Sequence, residues 1–221
     1  MSRFKLVIFD CDGTLVISEE SNNRAISRAA KKLGIEGYET DDCLQKFRGM
    51  NLRRIVDLII EETGVYVDKE VFLEAIKIMS LSLMGEIKAV DNVHEVLENI
   101  DIGKCVASNG DRKCVIESLA INNILEYFGE DNIFTHGDGI KPKPDPDMFL
   151  KASEKFGVKP EESLVIEDSE TGIAAARAAG MEVLGYTGTA IIEERRHNKL
   201  EAAGATKVIK DLKEILAYLE K

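Results

Sequence analysis

The sequence predicts an α/β fold: a parallel sheet covered by helices on both faces, interrupted after its first strand by an all-helical insertion. Three observations predict it. Short apolar runs at residues 6–9, 103–107, 163–166 and 183–186 are too brief for helices. They show little polar alternation, the pattern of strands buried on both faces. From about residue 91 these runs alternate with stretches of helical period, the grammar of a parallel sheet. Residues 18–85 instead carry four successive helical patterns and no convincing strand.

Each element has a local reason. In the insertion, Ser18 is placed to cap a first helix that runs to about Leu33 and stops at Gly34. Ala25, Ile26, Ala29, Ala30 and Leu33 form its apolar face. A second helix is expected near 41–47. Asn51 caps a third that ends at Thr63-Gly64, and Asp68 caps a fourth that reaches about Met84. Beyond the insertion, helices are expected at 93–100, after Asp111, from Pro146, at 172–179, at 190–203 and at 212–219. Ser169 or Thr171 caps the helix at 172–179. Weaker strands fall at 132–135 and 207–209. The run Lys141-Pro142-Lys143-Pro144-Asp145-Pro146 forbids regular structure until Pro146 opens a helix.

The chain has 221 residues, of which 44% are hydrophobic, enough for one domain with an insert. Net charge is −11, which disfavours nucleic acid or an anionic membrane as partner, since both need a basic footprint. No apolar run approaches a transmembrane length, no signal peptide opens the chain, and a cytoplasmic protein is expected. A monomer or weak dimer is expected. The four cysteines, Cys11, Cys43, Cys105 and Cys114, have no CxxC spacing and read as reduced structural thiols. The histidines His94, His136 and His197 are scattered without ligand spacing.

Ligands of open parallel sheets bind beyond the carboxyl ends of the strands. After the first strand stand Asp10 and Asp12. After the second stand Ser108 and Asn109. Lys143 lies in the loop past the third, and Glu167 and Asp168 follow the fourth. Each alone is compatible with a plain turn, cap or surface role; together they form a set. Asp10, Asp12, Glu167 and Asp168 are carboxylates that would repel one another without a cation, and a hard divalent ion such as Mg²⁺ suits them. Lys143, Ser108 and backbone N–H groups suit a phosphate. A metal and a lysine on phosphoryl oxygens are what phosphoryl transfer needs, and an aspartate can serve as its nucleophile. Cys11 lies between two carboxylates, which disfavours a thiolate there.

These stretches resemble the haloacid dehalogenase superfamily of phosphatases and phosphomutases. DCDGTLV is similar to its first motif, VASNG to its second, KPDPDMFL to its third, and VIEDSETGIAAARAAGM to its fourth in the β-phosphoglucomutase-like spelling. The resemblance spans nearly the whole chain. It implies a Rossmann-like three-layer α/β/α core of residues 1–16 and 87–221, with a four-helix cap at 17–86 that can act as a lid. It implies Asp10 as nucleophile and Asp12 as general acid/base. Mg²⁺ would be held by the Asp10 carboxylate, the Asp12 carbonyl and Asp168, with Glu167 either a further ligand or just behind the ligands. Ser108 and Lys143 would bind the phosphoryl group, with Asn109 beside them. The presence of Asp12 separates the chain from true dehalogenases. Ile17 stands where the family often has Asp, and Asn22 where β-phosphoglucomutases have His, which lowers the mutase reading. The expected activity is a Mg²⁺-dependent phosphatase of small phosphorylated metabolites, with sugar phosphates as the first class, and the alternative is a β-phosphoglucomutase-like phosphomutase. Asn22, Arg48, Arg53 and Lys77 of the cap, with Arg112, are the candidates for substrate contacts.

Overall fold

In the computed structural model, residues 2–47, 50–136, 139–189 and 193–220 are described. The chain divides into two compact units, one of Met1–Ile17 with Lys88–Lys221 and one of Ser18–Ile87. In chain order the elements are β1 (Leu6–Phe9), β2 (Val16–Ile17), α1 (Glu19–Lys32), α2 (Thr40–Lys46), α3 (Leu52–Thr63) and α4 (Lys69–Ser82). Then come β3 (Lys88–Ala89), α5 (Val93–Glu98), β4 (Gly103–Ser108), α6 (Arg112–Ile121), β5 (Ile133–Thr135) and α7 (Asp147–Lys155). The chain ends with β6 (Ser163–Glu167), α8 (Glu170–Ala178), β7 (Glu182–Tyr186), α9 (Glu193–Ala202), β8 (Lys207–Ile209) and α10 (Glu214–Leu219).

Six strands form one parallel sheet in the order β5-β4-β1-β6-β7-β8. Counted among themselves they run 3-2-1-4-5-6, the doubly wound Rossmann order, with helices on both faces. The topological switch lies between β1 and β6. All four β1 residues are buried, so both faces of that strand are packed, as its apolar run requires. Leu6, Ile8, Cys105, Ala107, Met148, Phe149, Val165 and Ile173 belong to one fully covered core cluster of this unit.

The unit Ser18–Ile87 has its own core, in which Ala25, Ile26, Ala29, Val56, Ile59, Phe72 and Ile76 are buried together. Asn51 and Asp68 cap α3 and α4 through their side chains, the former on Arg54 N and the latter on Glu70 N and Val71 N. Ser18 does not behave as expected. It occupies the position before α1 but caps no backbone N–H, and its hydroxyl instead accepts from Asn22 Nδ2 at 3.3 Å. The cap of α2 is Glu39, in a capping box with Asp42, and the helix starts at Thr40, one residue before the expected 41. The ribbon of β2 and β3, two residues each and antiparallel, is too short to leave a pattern in the sequence. It brackets the two points where the chain leaves and rejoins the sheet-bearing unit. The start of the helix expected at 190 lies outside the described residues; its described part is α9.

Cys11, Cys43 and Cys105 are fully buried, Cys114 is half-buried, and none forms a disulfide. Burial pushes the Cys43 thiol up to about 11 and those of Cys11 and Cys105 well above their ordinary value. Titration of the native protein with a thiol-reactive disulfide near pH 8 should therefore modify about one thiol per chain quickly, and Cys114→Ser should remove that phase. The remaining three should react only on unfolding.

Candidate active site

The sheet brings Asp10, Lys143, Glu167 and Asp168 together. Asp10 follows β1 directly, and its N–H still donates to Ile166 O at 2.9 Å, so the ladder between β1 and β6 extends to it. That bond fixes Asp10 beside the end of β6, where Glu167 is the last strand residue and Asp168 the first beyond it. Asp10, Glu167 and Asp168 are all buried and each offers an oxygen within 4.8 Å of the others.

Lys143 lies at the centre of this group. Its Nζ donates to Asp10 Oδ1 at 2.7 Å, to Glu167 Oε1 at 2.5 Å and to Ala107 O at 2.7 Å. Burial opposes its charge, but Asp10 and Glu167 outweigh burial and hold the ammonium above its ordinary value. The loop that carries Lys143 is anchored by Asn109. The Asn109 amide donates to Lys143 O at 3.1 Å and its Oδ1 accepts from Lys143 N at 2.8 Å. Asn109 thus grips the Lys143 backbone with both ends of its side chain. Ser108 is buried, and its hydroxyl accepts from Gly110 N at 3.0 Å.

Two glycines make room for the carboxylates. Gly13 has φ +82°, and a Cβ there would lie 2.4 Å from Asp168 Oδ2. A Cβ on Gly172 would lie 1.8 Å from Glu167 Oε1. Glu167 cannot move aside cheaply, because Oε2 accepts from Ser169 N at 3.0 Å and Ser169 Oγ at 2.7 Å while Oε1 holds Lys143. Ser169 also caps α8 by accepting from Gly172 N, which decides between Ser169 and Thr171.

The electrostatics are strained in the expected direction. Burial raises Asp10 well above the usual carboxylate range; Lys143 opposes this, and Glu167 and Asp168 add to it. Burial likewise raises Asp168 to about 7, with the Arg196 guanidinium opposing and Glu167 adding. Arg196, on α9, donates from Nη2 to Asp168 Oδ2 at 2.5 Å. No motif in the sequence marks Arg196. The strand-end rule, applied to β7 as well as to β1, β4, β5 and β6, points to the connection that leads into α9. The Thr189 hydroxyl, in the same connection, donates to Gly13 O at 2.8 Å.

The remaining expected residues stand as follows. Asp12 is half-buried next to Gly13. Arg112 donates to the carbonyls of Ile133 at 2.5 Å and Glu130 at 3.0 Å, tying α6 to the start of β5. In the helical unit, Asn22 donates to Ser18, Arg53 is exposed and paired with Glu70 at 2.7 Å, and Lys77 is half-buried on α4. Arg48 lies outside the described residues. Cys11 is fully buried with a raised thiol, which rules it out as a ready nucleophile.

The donor set fits a hard divalent cation. Three buried carboxylates converge against two side-chain cations, so negative charge remains to be balanced. All the donors are oxygens. No helix among the described residues is long and apolar enough to cross a membrane.

The chain is similar to known proteins over most of its length. The family profile described as haloacid dehalogenase-like hydrolase matches residues 7–186. The chain is similar to the 6-phosphogluconate phosphatase of Escherichia coli K12, 33% identical over 184 residues that cover 83% of this chain and 82% of the relative. It is similar to the validoxylamine A 7'-phosphate phosphatase of Streptomyces hygroscopicus subsp. limoneus, 30% identical over 96% of each chain. A crystal structure of a conserved haloacid dehalogenase-like protein from Agrobacterium tumefaciens C58 superposes with a TM-score of 0.80 at 30% identity, covering 98% of both chains.

The raised Asp168 carboxyl has a consequence for stability. Its folded value, about 7, lies above the unfolded value near 4. Its contribution is therefore fully present below about pH 4 and lost as pH rises through about 7. In a chelating buffer, wild-type protein should lose roughly 1–4 kcal/mol relative to Asp168→Asn between about pH 4 and pH 7.5, measured by urea unfolding. Equal pH slopes for the two proteins would contradict this.

Proposed function

Since this chain belongs to the haloacid dehalogenase-like hydrolases, we propose that it is a Mg²⁺-dependent phosphatase of small phosphorylated metabolites, acting through an aspartyl phosphate on Asp10. The observation that carries the reading is the buried cluster in which Lys143 bridges Asp10 and Glu167 beside Asp168. Relatives named for phosphorylated carbohydrates and sugar-like phosphates favour sugar phosphates as the substrate class.

The chemistry divides among the chain's own groups. Asp10 attacks phosphorus, and its Oδ1 is held in place by Lys143. Lys143, with its ammonium kept charged, neutralises charge on the phosphoryl oxygens, and the Ser108 hydroxyl and local N–H groups complete that cradle. Asp12 donates a proton to the leaving oxygen and then takes one from the attacking water. Asp10, Glu167 and Asp168, with the Asp12 carbonyl, would hold Mg²⁺, which when bound supplies positive charge to the phosphoryl group. Asn109 keeps the Lys143 loop in register. The helical unit Ser18–Ile87 is read as the cap, with Asn22, Arg48, Arg53 and Lys77 as candidate substrate contacts. Monomer or weak dimer is the assembly we propose, in the cytoplasm.

Phosphate release from a panel of sugar phosphates, sugar-acid phosphates and phosphoglycolate tests the reading. Release should require added Mg²⁺ and vanish with EDTA. Asp10→Asn should lose on the order of 10³-fold or more in kcat while keeping the wild-type circular dichroism. An active, metal-stimulated Asp10→Asn protein would overturn the assignment. Conversion of glucose 1-phosphate to glucose 6-phosphate without phosphate release would favour the mutase alternative.

A further inference from the structure

We propose that Arg196 is a built-in counter-ion of the acidic cluster: it holds Asp168 while no divalent cation is bound and releases it when one binds, so that it sets how tightly the site takes metal. The inference rests on reading the cluster as the metal site.

The two cations of the cluster are built differently. Lys143 is 4% exposed, and its ammonium is satisfied by two carboxylates and a carbonyl. It has three donors and uses them all. Arg196 makes one bond to the cluster, from Nη2 to Asp168 Oδ2, and its Nε is buried without a partner. A buried N–H left unmet is costly, so the present pose of the guanidinium is the weaker of the two. Its side chain is also 23% exposed, against 3% for Lys143. Arg196 therefore has a path to water that Lys143 lacks.

Charge decides which cation yields. When all three are ionised, the buried carboxylates Asp10, Glu167 and Asp168 carry one more charge than Lys143 and Arg196 balance, leaving one negative charge in the buried set. A divalent ion added beside both would make that set positive, and like charges so near a shared carboxylate repel. With Arg196 withdrawn, the same set is neutral. Withdrawal does not require the helix to leave. Leu200 is fully buried in the core of this unit, and Lys199 pairs with Glu170 of α8 at 3.3 Å, so α9 stays anchored while one side chain swings. Gly13 leaves Asp168 Oδ2 the space to serve either cation.

The test compares Mg²⁺ binding to wild type, Arg196→Gln and Arg196→Lys by calorimetry, with no substrate. Arg196→Gln should bind Mg²⁺ roughly ten-fold more tightly, the factor expected for removing one charge-assisted competitor. Its metal-free Tm should fall, and Mg²⁺ should raise its Tm by more than in wild type. Arg196→Lys keeps the charge and should stay within about three-fold of wild type. In wild type itself, the Arg196 Nε–H resonance, assigned by its absence from Arg196→Lys, should shift on Mg²⁺ addition. That readout holds even if Arg196→Gln does not fold. Unchanged or weaker Mg²⁺ binding by a folded Arg196→Gln would overturn the proposal and leave the metal-site reading intact, as would an unmoved resonance at saturating Mg²⁺. No Mg²⁺ binding by any of the three proteins would overturn both.

Discussion

The Lys143 ammonium, buried between Asp10 and Glu167, is the interaction on which the arrangement of this site depends. Without it two carboxylates would stand at the ends of adjacent strands with no internal counter-charge. With it, their repulsion becomes an attraction that joins three parts of the chain: the β1 end, the β6 end and the proline-rich loop. The carbonyl of Ala107 accepts the third N–H bond and adds β4. Much of the local sequence serves this contact. Asn109 fixes the loop backbone on both sides of the lysine, Ser169 fixes the far oxygen of Glu167, and Gly172 leaves Glu167 its space.

The site remains short of positive charge after Lys143 is counted, and Arg196 meets part of that need from a different element. The two cations are not equivalent. One is fully bonded and enclosed, the other singly bonded and near water. A site assembled in this way has a fixed half, Asp10 with Lys143 and Glu167, and an exchangeable half at Asp168. The fixed half would orient a nucleophile, and the exchangeable half would admit a metal.

The parts of this arrangement that follow from the chain's periodicity were legible in the sequence. Buried strands of a parallel sheet show as short apolar runs, and the residues just past them converge whatever the details of packing. Asp10, Glu167, Asp168 and Lys143 are therefore singled out by their positions after the strands, and the alternation of strands and helices points to the fold class. What depends on rotation of a helix about its axis was not legible. Arg112 and Arg196 both sit on helices, and nothing in composition says that one guanidinium turns to the carbonyls of Ile133 and Glu130 while the other reaches Asp168. Ser18 has the right residue type to cap α1, but its backbone does not offer the geometry, and Asn22 uses its hydroxyl instead. The β2–β3 ribbon, with two residues on each side, is below the length at which alternation can be seen.

The most direct test is the stability of Lys143→Met in chelating buffer, at about pH 8 and about pH 5, against wild type. Removing the shared partner leaves Asp10 and Glu167 buried and uncompensated, which should cost about 3–5 kcal/mol at the higher pH. Burial already raises the Asp10 carboxyl well above its usual range, and without Lys143 to oppose it the variant should recover stability as pH falls and Asp10 takes up its proton. A much smaller deficit at about pH 5 than at about pH 8 is the predicted result. A variant as stable as wild type at about pH 8, or one equally destabilised at both values, would contradict the account.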